Sequence, residues 1–163
     1  MTMKFSESQA LNRIAAYCSK AERCEWEVRR KLITWELDVD VVKRIVDKLK
    51  KERYLDDARF SRSFINDKLK FNKWGKARII FELKKRNISE AIYNPILDEL
   101  SGNEFEEQLM HILSVKIKSV KAKNDYEKKI KLIRFALGRG FSMDMAIKCT
   151  DRLIGGDNEE YIP

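Results

Sequence analysis

Cysteine and histidine are the side chains best suited to act as a nucleophile, a metal ligand or a proton shuttle near neutral pH. This 163-residue chain holds three cysteines and one histidine. Cys18, Cys24 and Cys149 show no paired spacing, and with His111 alone they cannot build a two-Cys, two-His zinc set. Cys18 falls on the apolar side of a first helix and Cys149 at a core position of a later one, so the thiols are expected to act as small buried hydrophobes. His111 has no partner residue near it and reads as a helix-surface side chain. Gly138-Arg139-Gly140 and Gly155-Gly156 lack the spacing of a phosphate-cradling loop and the Lys-Ser or Lys-Thr that must follow one. No serine elbow occurs either. The expectation is a protein that is not an enzyme, with no catalytic residue, no cofactor and no metal.

The scaffold around these residues is expected to be helical. Only six glycines and two prolines occur, and both residue types break helices. With 44% hydrophobic and 37% charged residues, the chain is too apolar to be disordered and too charged for a membrane protein. No uncharged apolar run is long enough to span a bilayer, and Met1-Thr2-Met3-Lys4-Phe5-Ser6-Glu7 lacks the apolar stretch of a signal peptide. A cytoplasmic protein is expected. The net charge of +8 suits an anionic partner, either nucleic acid or an acidic protein surface.

An internal repeat organises the chain. Three segments align on Leu37, Ile88 and Phe141, which are 51 and then 53 residues apart. Each anchor is followed by a helix-capping type, Asp38, Ser89 or Ser142. Apolar residues recur four, eight and twelve places later: Val41, Ile45 and Leu49; Ile92, Ile96 and Leu100; Met145, Cys149 and Leu153. That spacing is one stripe of a helix. Another helix precedes each anchor, with Val28 and Leu32, Ile79 and Leu83, and Leu132 and Ala136 on one face.

A further helix leads each pair. It is capped by Ser6 with Gln9 in the first unit, begins at Asp56 and Asp57 in the second, and is capped by Asn103 with Glu106 in the third. The predicted fold is all-α, an elongated tandem array of three three-helix repeats over 6–53, 54–101 and 102–154, with a disordered tail at 155–163.

Two residues disturb the pattern. Pro95 falls inside the last helix of the second unit, which leaves open a start at Asn94-Pro95 after a separate turn. Cys24 stands where a capping serine is expected, so that helix end should fray. Charge is also uneven. Residues 68–86 hold eight basic side chains against Glu82, and residues 116–139 hold nine against Asp125 and Glu127. Lys73, Lys76, Lys84, Lys85 and Arg86 flank one middle helix, and Lys128, Lys129, Lys131, Arg134 and Arg139 decorate the next. These ten are the candidate residues for binding a partner or nucleic acid, set against the plainer role of solvated helix faces. Phe71 and Trp74 interleave with the first run and are expected to pack between units, with base stacking the alternative.

The stretch from Arg53 to Ser89 resembles the RecX family. It carries Tyr54, Leu55, Asp56, Asp57, Ala58 and Phe60, then Gly75, then Ile79, Leu83, Lys85, Arg86 and Ile88, at the family's spacing. Asn87 replaces the family's Gly, and Asn tolerates the same left-handed helix-ending conformation. Ser61 stands where Ala is usual. Upstream, Arg23, Glu27, Lys31 and Leu32 match the family's first unit; downstream, only helix spacing and Arg139-Gly140-Phe141 match. The motif residues Tyr54, Leu55, Asp56, Asp57, Phe60, Gly75 and Ile88 are expected to be mainly structural.

The resemblance implies a modulator, usually an inhibitor, of the RecA recombinase. Such a protein binds along the groove of the RecA–DNA filament and suppresses ATP hydrolysis and strand exchange. The partner it implies is the RecA filament on DNA, with weak direct nucleic-acid contact possible, no membrane, and a monomeric state. An elongated array could touch several protomers, so that weak contacts multiply through effective concentration. The alternative is a direct DNA- or RNA-binding helical module of helix-turn-helix type. Against it, Ser89 to Leu100 contains no Lys or Arg and makes a poor groove reader.

Overall fold

The computed structural model describes residues 5–100 and 102–155. The described residues form α1 (Glu7–Lys20), α2 (Glu25–Ile33), α3 (Val39–Lys51), α4 (Asp57–Lys70), α5 (Lys76–Lys85), α6 (Glu90–Asp98), α7 (Gly102–Lys116), α8 (Asp125–Gly138) and α9 (Met143–Leu153), with no strand among them. The all-helical prediction holds. Of the expected tail, everything beyond Gly155 lies outside the described residues. The chain divides into two compact units, one from the chain up to Phe64 with Leu83–Ile96, the other from Ile65–Glu82 with the chain from Leu97 onward.

In the first unit α1, α2 and α3 pack on one another. Their stripes supply the core: Ala10, Ile14 and Cys18 from α1, Val28 and Leu32 from α2, and Val41, Val42, Ile45, Val46 and Leu49 from α3. Each large side chain buried in this way contributes about 1.5–3 kcal/mol relative to exposure. The start of α1 is fixed by a reciprocal cap, in which Gln9 N–H donates to Ser6 Oγ at 3.1 Å and Ser6 N–H to Gln9 Oε1 at 2.9 Å. Asp38 occupies the N-cap position of α3, but its side chain makes no cap bond.

In the second unit α7, α8 and α9 pack together through Phe105, Leu109, Ile112 and Leu113, Leu132 and Ala136, and Ala146 and Cys149. Asn124 caps α8, accepting from Glu127 N–H at 2.8 Å, and Ser142 caps α9, accepting from Met145 N–H at 3.2 Å. The end of α8 meets the start of α5 backbone to backbone. Gly75 N–H donates to the Arg139 carbonyl at 2.7 Å and Ala77 N–H to the Gly140 carbonyl at 3.1 Å. The exposed amides of one helix thus satisfy the exposed carbonyls of another, and the two dipole ends attract.

The residue just before each anchor is left-handed: Glu36 at φ 58°, Asn87 at 57° and Gly140 at 95°. Ile88 N–H then donates to Leu83 C=O at 3.0 Å and Phe141 N–H to Ala136 C=O at 3.1 Å, the bond that closes a helix C-terminus. Asn87 therefore does the work of the glycine it replaces.

Three local expectations are corrected. α6 begins at Glu90 and carries Pro95 inside it, so the start at Asn94-Pro95 does not occur. Ile92 and Tyr93 N–H groups both bond the Ser89 carbonyl, which secures the first turn upstream of the proline. α7 begins at Gly102, which places Asn103 inside the helix rather than at its cap. Glu106 instead reaches Lys148 at 3.1 Å and Arg152 at 3.2 Å, tying α7 to α9. The start of α2 is also held, by an acceptor from elsewhere in the chain.

Candidate partner interface

The α2 start is held by the paired aspartates. Asp56 caps its own helix, its Oδ1 accepting from Ala58 and Arg59 N–H, each at 3.0 Å. Asp57 turns away and accepts from Glu25 N–H at 2.9 Å, in the first turn of α2. Cys24 is fully buried, and its N–H donates to Glu27 Oε1 at 3.1 Å. The fraying expected from a missing serine is thus replaced by a cap from a residue 32 positions away. Glu25 completes the junction, paired with Arg29 at 2.8 Å and with Lys50. Burial alone would raise the Glu25 carboxyl, but its bonds to Lys50 and Arg29 outweigh that and hold it below the usual carboxylate range.

Burial pushes the Asp57 carboxyl up, so the folded state binds its proton more tightly than the unfolded chain does. The contribution of this group to stability therefore declines as pH rises through its folded value. An uncharged acceptor escapes that penalty. Asp57→Ala is expected to cost about 1–2 kcal/mol, the usual value of a helix cap, whereas Asp57→Asn should cost less than half as much at neutral pH. Urea titrations of both variants check this, and equal losses would mean that charge rather than the bond to Glu25 matters.

The remaining motif residues differ in environment. Leu55, Phe60 and Ile88 are buried, Gly75 makes the contact with the α8 end, and Tyr54 is exposed. Phe60 stacks on Phe64 with ring centroids 5.5 Å apart. All three thiols are buried, and desolvation raises each pKa, that of Cys24 to about 12, so they stay protonated and unreactive. His111 is exposed. Among the described residues no three His, Cys, Asp or Glu side chains gather as a metal site, and no helix is long and apolar enough to cross a membrane.

The ten candidate cations separate by environment. Lys76, Lys84 and Lys85 on α5 are exposed. Arg86 is not a surface cation: its guanidinium lies 5.1 Å from the Phe64 ring centroid and 3.8 Å from Glu27. Lys73 is left-handed at φ 55°, and its ammonium donates to the Lys70 carbonyl at 2.6 Å, closing the end of α4. On α8, Lys129 is paired with Asp151 at 3.1 Å and Lys131 with Glu127 at 3.3 Å. Arg139 packs over Phe135 at 5.4 Å. Lys128 and the exposed Arg134 have no ion-pair partner among the described residues. Lys84 with Lys85 in the first unit, and Lys76, Lys128 and Arg134 in the second, are therefore the candidates without an ion-pair partner among the described residues.

Phe71 is 79% exposed, so the packing expected of it does not occur. Trp74 is flanked by Lys68 at 5.0 Å and Arg78 at 4.3 Å. Counting charge along the sequence missed a third basic surface, on α2. Its Arg30 and Lys31 are exposed, but Glu25 and Glu27 in the same helix cancel them in any local sum. The interleaved Tyr17 and Trp26 were the available signal.

Family models match the whole three-helix series. The first three-helix domain of RecX matches residues 10–49, the second 56–94 and the third 104–149. A regulatory protein RecX from Finegoldia magna is 35% identical over 126 residues, covering 76% of this chain and 62% of that protein. A regulatory protein RecX from Clostridium acetobutylicum is 30% identical over 138 residues, covering 82% of this chain and 63% of that protein. The chain thus spans slightly less than two thirds of these relatives. A crystal structure of regulatory protein RecX superposes with a TM-score of 0.80 at 18% identity, over 92% of this chain and 73% of that one. The structure of RecX from Lactobacillus salivarius superposes at 0.76 with 21% identity, over 90% and 96%. At these identities the superpositions speak for the fold.

Proposed function

Because this chain belongs to the RecX family, we propose that it modulates the RecA recombinase, in the inhibitory direction, by binding in the groove of the RecA–DNA filament and suppressing ATP hydrolysis and strand exchange. The observation that carries the proposal is the run of three family domains, first to third in order, along residues 10–149. Units at 6–53, 54–101 and 102–154 would each offer the filament a surface, and contacts too weak to hold singly would add through effective concentration. Lys84 with Lys85 and Lys128 with Arg134 supply positive charge for acidic protein or nearby phosphate. The protein works as a cytoplasmic monomer and turns over no substrate itself, in keeping with protonated, buried thiols and an exposed, isolated histidine.

Addition of the protein to its cognate recombinase on single-stranded DNA tests the proposal. DNA-dependent ATP hydrolysis should fall as the protein is titrated in. A rate that stays flat at saturation would remove the proposal.

A further inference from the structure

The α1–α2 face of the first unit carries a cluster that neither the paired-aspartate motif nor the two middle-helix clusters use. Tyr17 holds the Arg23 guanidinium 3.9 Å from its ring centroid and the Lys31 ammonium at 5.3 Å. Trp26 holds Arg30 at 4.5 Å. Tyr17, Trp26, Glu27, Arg30 and Lys31 line a cleft of about 550 Å³ together with Ile33, which is 64% exposed.

Of the charged residues that line this cleft, Glu27 is acidic and Arg30 and Lys31 are basic, so positive charge is in excess. Among the described residues, no carboxylate makes an ion pair with Arg23, Arg30 or Lys31. The acidic side chains nearest in sequence, Glu27 in the cleft wall included, have partners other than these three cations. Glu22 pairs with Arg59 at 2.6 Å, Glu25 with Arg29 and Lys50, and Glu27 accepts from Cys24 N–H and faces Arg86. Arg23 is further fixed by Nε donation to the Tyr17 carbonyl at 3.4 Å. A guanidinium held against a ring keeps N–H groups for an oxyanion and loses little side-chain freedom on meeting one.

Two features select the kind of anion. The cations lie over the Tyr17 and Trp26 rings, so a nucleobase would have to displace them to stack there. The exposed aliphatic Ile33 matches an apolar side chain, for which a sugar-phosphate backbone has no counterpart. We propose that the α1–α2 cleft docks an acidic polypeptide segment bearing an apolar side chain, with carboxylates on Arg23, Arg30 and Lys31 and the apolar group against Trp26 and Ile33. This surface is independent of the recombinase reading.

Anisotropy titrations of the full chain at low salt test it. The labelled probes are a glutamate-rich random copolymer of glutamate and tyrosine, poly-glutamate of matching length, and an oligothymidylate of similar charge. The copolymer should bind about tenfold more tightly than either of the others, a difference of about 1.4 kcal/mol. The combined variant Arg23→Gln, Arg30→Gln, Lys31→Gln should weaken copolymer binding about tenfold or more with helicity unchanged. Ile33→Ser should bring the copolymer down to the level of poly-glutamate. Equal binding of copolymer and poly-glutamate by the wild type would overturn the proposal. So would an oligothymidylate that binds tightest and loses its affinity in the triple variant.

Discussion

Replacing Gly75 by alanine is expected to destabilise the protein by about 3–5 kcal/mol and to lower Tm by about 10 °C for a chain of this size. A Cβ at Gly75 would sit inside the Gly140 carbonyl group and against the Phe141 nitrogen. All three atoms are backbone, so no side chain can swing aside. Relief requires the start of α5 to withdraw from the end of α8. That withdrawal breaks the bonds from Gly75 N–H to Arg139 C=O at 2.7 Å and from Ala77 N–H to Gly140 C=O at 3.1 Å. Overpacking of this kind costs about 1–3 kcal/mol and each lost bond about 1 kcal/mol more. Gly140→Ala meets the reciprocal clash with Arg78 and adds a strained φ of 95°. Gly138→Ala is the control: nothing lies within 4 Å of its Cβ, so it should be neutral or slightly stabilising. Thermal unfolding of the three variants checks the ranking, and a Gly75→Ala protein as stable as wild type would refute the close backbone contact.

The second large effect is expected from charge reversal on two of the basic clusters. Lys84→Glu with Lys85→Glu in one variant, and Lys128→Glu with Arg134→Glu in another, should each weaken filament binding about ten- to a hundredfold at low salt, or about 1.4–2.7 kcal/mol. These four side chains are outside the buried stripes and have no ion-pair partner among the described residues, so helicity should persist. Added salt should weaken the wild type and narrow its gap to the variants, because screening shortens the reach of charge to about 8 Å at physiological ionic strength. Arg86, Lys129 and Lys131 are left unchanged because they are engaged with Glu27, Asp151 and Glu127. Reversing those would set like charges together and confuse a folding defect with a binding one. Unchanged affinity in both variants would make these clusters solvated faces only.

The helices and their buried stripes were legible from periodicity. Val28, Leu32, Ile79, Leu83, Leu132 and Ala136, each placed at an equivalent repeat position, are all fully buried. A stripe at helical spacing most directly faces a core, so the inference was short. Long-range capping was not legible. That Asp57 serves α2 rather than its own helix depends on how two segments 32 residues apart come together, and local rules see only the helix that an aspartate precedes. The same limit hid the partners of Glu106 and Arg86, whose ion pairs run to Arg152 and Glu27. Ser61 is a milder case. Its side chain is fully buried and its Oγ has no hydrogen-bond partner among the described residues, which fits a position where the family usually carries alanine.

For the candidate interface, charge runs located the right helices but overcounted the available cations. Sequence adjacency made Lys84, Lys85 and Arg86 look alike, yet a step of one residue rotates a side chain by about 100° around the helix. Arg86 is thereby carried onto Phe64 while the two lysines stay in water. Net charge also concealed α2, where Glu25 and Glu27 offset Arg30 and Lys31 although they serve the start of the helix and its neighbours.

The most direct test of the regulatory role is a steady-state titration of this protein into its cognate recombinase on single-stranded DNA with saturating ATP. The predicted result is a saturable fall in ATP hydrolysis, reached at less than one chain per recombinase protomer if each chain spans several as proposed, and shifted to higher concentration by reversal of Lys84 and Lys85. An ATPase rate unaffected by the protein at saturation, while the protein itself remains helical, would contradict it.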